Sequence, residues 1–363
     1  LEAIKGGAEK IKIAVGEAIG LAQDDKQLTG EQVITIFRDK QMLLIFDNSE
    51  VALDDIGFIP EWLRRAPNIA ILTTSREPLN FQAESVISLT GLPTGILSKD
   101  RAEMNAAEAL FVERAQMARA DFPVDNHELP QIRQICALVD GSPLGISLAA
   151  AWVRRRSLMQ IIDSIGQSLD FLTTRLRDVD PRHRSMRAVF ETSWQLLAPE
   201  EQEILAALSV FPTTFTAVSA QQITNATLFD LDLLCEKSLL QQQHESERYV
   251  IHSLVRQFAA EKLGNKKTAA EQNFVAHFYQ FADEQQADYT ALQPEWGNLL
   301  TAVSKAHTLE QWTDVLNLVQ VLDEPWFRQI RFQEMRHGLA LALDAATALQ
   351  DQPALARTLL RLG

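Results

Sequence analysis

The sequence predicts a mainly α-helical protein with a short α/β beginning, and three observations carry that reading. Two short, continuous apolar runs, Met42–Phe46 and Ile69–Thr74, are separated by a helix-like stretch within the first 98 residues. From about residue 100 onward, apolar residues recur at the 3–4-residue spacing of helices. A single pair of strand-like segments, SLLQQQ and YVIHSL around the polar turn HESER, interrupts that helical texture.

Residues 31–39 (EQVITIFRD) have helical spacing and precede the run Met42-Leu43-Leu44-Ile45-Phe46, which stops at Asp47. An apolar run of that length ending in an acid reads as a buried parallel strand with a functional residue at its carboxyl end. A helix over 55–65 and a second run ending at Ser75-Arg76 complete a βαβ crossover, which brings Asp47 and Arg76 to the same edge of one sheet. Helices are then predicted over 105–119 and 128–139, and Gly141-Ser142-Pro143 breaks the pattern before LGISLAAAWVRRR, whose first turn begins near the proline. Residues 158–177 supply another amphipathic stretch before the polar joint DVDPRHR.

Over 185–263 three helices (SMRAVFETSWQLL, PEEQEILAALSVF and LFDLDLLCEKSLL), the hairpin and a closing helix LVRQFAAEKL give the winged-helix arrangement. Beyond Gly264 the pairs 297–307 with 310–322, and 333–349 with 353–361, suggest the start of an α-solenoid of tetratricopeptide type, although no 34-residue self-match is visible. Trp296, Trp312 and Trp326 read as solenoid core.

The chain has 363 residues, enough for two to four domains of ~150 residues each. At 46% hydrophobic and 23% charged it is neither disordered nor collagen-like. Asp and Glu number 48 against 34 Lys and Arg, and the net charge of −14 argues against coating nucleic acid or anionic membrane. No apolar run reaches the ~18–20 residues of a membrane span. Cys136 and Cys235, in apolar helix-like contexts without CxxC spacing, read as buried reduced thiols, and a cytoplasmic location is expected. The chain begins with Leu1 and opens directly into LEAIKGGAEK, which reads as a fragment or processed product.

Taken in order, KQMLLIFDNSE, NIAILTTSREPLN, LTGLP, ALFVERAQMARADF, VDGSPLGISLAAAWVR, RHRSMRAVFETSWQLLAPEEQEILAALSVF, LLCEKSLL and YVIHSLVRQFAAEKL resemble the STAND NTPases. This superclass, related to AAA+ proteins, includes the NB-ARC domains of plant resistance proteins and apoptosis scaffolds. The likeness is greatest to large bacterial regulators in which such a module precedes tetratricopeptide repeats. It runs to about residue 265, with a weaker echo at PEWGNLLTAV. It implies a partial P-loop NTPase α/β domain over 1–98, a helical domain over 99–177, a winged-helix domain over 178–264 and tetratricopeptide-like repeats over 265–363. Such proteins bind phosphates through G-x-x-x-x-G-K-[ST], a motif this sequence lacks. The opening residues align with the segment after the family's second strand, so the phosphate-binding strand and helix are expected upstream or lost.

The resemblance also implies roles for five residues. Asp47 takes the Walker B position and would hold Mg²⁺ through the nucleotide. Asn48 stands where active ATPases often carry a second acid, which favours slow or absent hydrolysis. Arg76 would sense the γ-phosphate, Pro143 would present backbone to adenine or ribose, and His252 would contact the β-phosphate of ADP. Four of them have a plainer reading: Asp47 as a strand-end acid, Arg76 as a surface charge, Pro143 as a first-turn proline and His252 as a structural histidine. Arg182, His183, Arg184 and Arg187 form the densest basic cluster, but a solvated joint fits it better than a DNA-facing edge, and direct DNA binding is not expected.

The leading expectation is therefore the regulatory core of a switch closed by ADP, opened by ATP exchange and able to homo-oligomerise. ATP or ADP with Mg²⁺ would be the cofactor of the full-length protein, with none held well by this chain. The repeats would take a protein or peptide ligand. A nucleotide-independent scaffold and a transcription regulator are the alternatives.

Overall fold

The computed structural model describes residues 7–21, 28–94, 104–123, 128–174, 184–243 and 246–362. The chain divides into two compact units, Leu1–Leu89 with Glu236–Ser238, and Thr90–Cys235 with Leu239–Gly363.

In the first unit, helices α1 (Ala8–Ala18) and α2 (Gly30–Phe37) precede strand β1 (Met42–Phe46), helix α3 (Ile59–Arg65) and strand β2 (Ile69–Thr73). Thr29 caps α2 in a reciprocal box with Gln32, which satisfies amides that the helix itself cannot. The strands pair in parallel, Met42 opposite Ile69 through Phe46 opposite Thr73, as the βαβ reading requires. Ile11, Val33, Phe37, Phe46, Ile56 and Trp62 build the core beneath them.

Two sequence expectations are corrected here. The helix expected over 55–65 begins only at Ile59, where Pro60 sets the first turn; a 3₁₀ segment, Ser49–Asp55, lies before it. The strands are also not buried on both faces: Leu43, Ile45 and Leu72 are 56%, 65% and 50% exposed, while Leu44 and Phe46 face the core.

Among its described residues the second unit is mainly helical, with one antiparallel hairpin. Its helices are α4 (Ala106–Ala118), α5 (Leu129–Leu138), α6 (Pro143–Ala150), α7 (Leu158–Gln167), α8 (Met186–Gln195), α9 (Pro199–Leu208), α10 (Ala217–Thr224) and α11 (Leu228–Glu236). Strands β3 (Gln241–Gln243) and β4 (Arg248–Val250) pair antiparallel and lead into α12 (Ser253–Lys262). Helices α13 (Lys267–Gln285), α14 (Tyr289–Leu292), α15 (Trp296–Thr308), α16 (Trp312–Arg328), α17 (Phe332–Ala348) and α18 (Gln352–Leu362) follow.

The hairpin lies where the sequence places it, and α4 is capped by Asn105, whose side chain accepts from the Glu108 amide at 2.9 Å. The amphipathic stretch expected over 158–177 is α-helical only to Gln167, because extended Ser168 turns its hydroxyl to the amide of Asp170; residues 175–177 lie outside the described residues. Helix α10 has no counterpart in the sequence reading. It is short and weakly amphipathic, and depends on a Thr216 cap on Ser219. Helix α16 runs past the expected end at 322, carrying buried Pro325 within it.

The last three helices begin at Trp312, Phe332 and Gln352, 20 residues apart. Each is entered through a left-handed residue, Glu310, Ile330 or Gln350. The following amides reach back to Ala306 O (2.9 Å), Trp326 O (2.8 Å) and Ala346 O (3.0 Å), the bond pattern of a Schellman turn. The segment is the helical repeat expected, but a helix pair here takes 40 residues rather than the ~34 of the tetratricopeptide unit. Trp296 and Trp326 are core residues, whereas Trp312 is half-buried, edge-on to His307 at 5.3 Å. Gly338 makes room for Trp326: a Cβ there would lie 2.6 Å from Cη2 of the indole.

Candidate functional site

The sequence-selected residues fall into two groups, one in each unit. In the first unit, Asp47, Asn48 and Arg76 follow the carboxyl ends of the two strands. Thr74 holds this edge together: its backbone N–H donates to Phe46 O at 2.9 Å, its carbonyl accepts from Ser49 N–H at 2.9 Å, and its hydroxyl donates to Asp47 Oδ1 at 2.5 Å. The Thr74 Oγ1 also accepts from Asn48 N–H at 3.1 Å. Asn48 itself is left-handed (φ 56°), a conformation that asparagine tolerates better than most residues. Arg76 Nε lies 3.4 Å from Oε1 of Glu50, whose side chain is buried. Asp47 is thus an exposed, oriented carboxylate with oxygens suited to a divalent cation, and Arg76 is steered by an acid. Neither Thr74 nor Glu50 was singled out from sequence, although both lie within three residues of a selected position.

In the second unit, Pro143 and His252 are brought together through Asp140. Ser142 caps α6 by accepting from Gly145 N–H at 3.3 Å, with Pro143 in the first turn, so the plainer reading of that proline is satisfied. Asp140, left-handed at φ 46°, directs Oδ2 to the start of α12. That oxygen accepts from Ser253 N–H at 2.7 Å and from Ser253 Oγ–H at 2.8 Å, and lies 3.2 Å from His252 Nδ1. An acid from the GSP loop therefore caps a helix that begins 113 residues later. His252 Nδ1 also accepts from Leu254 N–H at 3.3 Å. One nitrogen cannot accept from Leu254 and donate to Asp140 at once, so protonation of the ring exchanges one bond for the other. Burial holds the His252 pKa below the ordinary histidine value, with the Asp140 charge opposing it.

The GSP loop is also clamped by the LTGLP segment. Leu92 N–H donates to Gly141 O at 2.9 Å, and Gly141 has φ +67°. A Cβ on Gly141 would lie 2.0 Å from Leu92 O, and one on Gly91 would lie 2.0 Å from Asp140 O. Only glycine fits at either position. Asp140, Ser253 and these two glycines are functional candidates that motif spacing alone did not isolate. The available signal was their adjacency to Pro143 and His252 in VDGSP and IHSLV.

Of the basic cluster, Arg187 donates to Glu261 (Nη1–Oε2 2.6 Å) and pairs with Asp170; Arg182 and His183 lie outside the described residues. Cys136 is buried and its thiol is pushed up to about 12 by burial, whereas Cys235 is only half-buried, its thiol pushed up to about 11. Among the described residues no group of three or more His, Cys, Asp or Glu could hold a metal ion, and no helix is long and apolar enough to cross a membrane.

No protein-family model matches the chain. It is similar to proteins of Mycobacterium bovis and Mycobacterium tuberculosis that carry the name "Putative HTH-type transcriptional regulator", at 26% identity over 343 residues, covering 89% of this chain and 38% of theirs. An uncharacterized protein of Mycobacterium bovis is 27% identical over 270 residues, covering 71% of this chain and 66% of that relative. The chain therefore spans well under half the length of the first of these relatives. Among solved structures it is similar to a signal transduction ATPase with numerous domains (STAND) and a tetratricopeptide repeat sensor from Pyrococcus horikoshii. The identity is 16% and the TM-score 0.37, over 92% of this chain and 44% of that one.

Proposed function

We propose that this chain is the closing and relay portion of a nucleotide-gated regulatory switch, with the divisions 1–98, 99–177, 178–264 and 265–363 given above. The observation that carries the reading is the Asp140 cap. It fastens the loop containing Pro143 to the hairpin–helix junction containing His252, two segments distant in sequence that the resemblance assigns to one nucleotide site. In that reading Pro143 and His252 would bind ADP in the closed arrangement, Asp47 would hold Mg²⁺ and Arg76 would report on a third phosphate. The bound nucleotide supplies phosphate charge, and the arrangement that meets this charge best gains population in proportion to the difference in affinity. Exchange for ATP would release the closed form, and homo-oligomerisation would follow.

Within the whole protein we assign the output to transcription regulation, on the names that the mycobacterial relatives carry. The hairpin module does not itself read DNA in this proposal: α10 and α11 contain no Lys or Arg, and expose Leu228 and Phe229. The repeats would receive a protein or peptide.

Because the sequence holds no G-x-x-x-x-G-K-[ST], titration calorimetry with Mg·ADP should show no micromolar binding. Hydrogen exchange at millimolar Mg·ADP should nevertheless show protection at residues 141–145 and 252–254. Absence of protection at both segments would reject the nucleotide reading and leave the scaffold.

A further inference from the structure

The PEWGN segment at the start of α15 carries buried charge that the proposed switch has not used. Arg248, on β4, is nearly buried; its Nη1 lies 2.6 Å from Oε1 of Glu295, which is also buried. Its Nε donates to Thr214 Oγ1 and its Nη2 to Thr214 O, both at 2.8 Å. Asn298, fully buried, donates from Nδ2 to Glu295 Oε2 (2.6 Å) and to Thr214 O (2.9 Å), and accepts from Thr213 Oγ1–H at 2.9 Å. Gly297 allows this approach, since a Cβ there would lie 2.7 Å from Thr213 Cγ2. Arg256 of α12 donates into the same loop, to Pro212 O and to Phe211 O.

A buried ion pair of this kind adds little stability over a well-packed apolar pair, because both ions must be desolvated. What it adds is direction: every donor has a fixed acceptor, so α15, the 212–214 loop and β4 hold one mutual register. The bridge between Phe215 and Tyr249, N–H to O in both senses at 2.9 and 2.8 Å, extends that register along β4. Arg248 is four residues before His252, roughly 13 Å of extended chain at ~3.3 Å per residue.

We infer that Arg248, Glu295 and Asn298 are positioning residues, which couple the start of α15 in the repeat segment to the placement of His252 and Ser253 against Asp140. A displacement of α15 is then delivered along β4 to the Asp140 cap. The use of that cap as a gate rests on the switch proposed above; the mechanical link does not.

Native-state hydrogen exchange on the full chain tests it. Glu295→Gln should speed exchange of the Ser253 and Leu254 amides roughly tenfold while leaving α13 amides such as Phe274 unchanged. Asp140→Asn, which weakens the cap directly, should speed the same two amides, and Glu295→Gln should then add nothing at them. Arg248→Met with Glu295→Leu, which fills the volume without charge, repeats the test if the single variant does not fold. Additive effects of Asp140→Asn and Glu295→Gln, a uniform acceleration throughout the second unit, or unchanged Ser253 exchange would each overturn the inference. A non-additive result without nucleotide protection would keep the link and discard the nucleotide switch; additivity with protection would do the reverse.

Discussion

Replacing Gly141 by Ala tests whether the GSP loop is clamped by backbone contact. Gly141 has φ +67°, which costs an L residue about 1–2 kcal/mol, and its new Cβ would lie 2.0 Å from the Leu92 carbonyl oxygen. Backbone cannot rotate aside as a long side chain can, so residues 90–93 must move away. The Leu92 N–H bond to Gly141 O then breaks, at a net cost of about 0.5–1.5 kcal/mol. Local destabilisation should total about 2–3 kcal/mol, and the Leu92 amide should exchange about 30- to 150-fold faster at 1.4 kcal/mol per decade. Gly264→Ala is the control: φ is +53° with nothing within 4 Å, so it carries the conformational cost without the clash and should leave Leu92 exchange unaltered. If Gly141→Ala changes Leu92 exchange no more than Gly264→Ala does, the clamp is not held by this contact.

Three further outcomes are expected. Burial depresses the folded-state pKa of both His252 and His277, so the folded protein resists taking up their protons; stability should be full above the ordinary value of ~6.5 and fall as pH drops below it. His252→Gln and His277→Gln should each flatten the pH dependence of the denaturation midpoint between about pH 7 and 5, and an unchanged slope in both would contradict the assignment. Ile330, β-branched, left-handed and 74% exposed, should give a protein about 1 kcal/mol more stable as Ile330→Gly in urea titration, since relief of strain exceeds the glycine entropy cost. Gly338→Ala should lose about 1–3 kcal/mol by overpacking against Trp326, visible as a lower thermal midpoint and altered indole fluorescence.

The parts of the fold legible in sequence were those whose signal is local. Asp47 and Arg76 could be assigned to one sheet edge because each ends a continuous apolar run and the intervening helix enforces a parallel crossover. The hairpin was legible from its polar turn. Helix α10 was not, because its eight residues show little apolar periodicity and its start depends on a threonine cap. Asp140 and Ser253 are ordinary residues in sequence; only the chain path joining positions 113 apart makes them a cap. The buried Arg248–Glu295 pair was hidden for the same reason, since separate strand and helix patterns do not state which charges will meet. The 20-residue spacing is not legible in the sequence, because Glu310, Ile330 and Gln350 share a backbone conformation and no side-chain chemistry.

That spacing also determines how the repeat segment can be shortened or lengthened. Each left-handed turn reverses the chain, so removing residues 312–331 would leave the following helix running in the opposite direction, with Gly338, Ala342 and Ala346 standing where Leu318, Leu322 and Trp326 now fill the core. Removing 312–351 would restore the direction and let α18 enter through the turn at Glu310. Duplication and excision in this segment should therefore survive in steps of two helices, making the helix pair the unit in which its length can be edited.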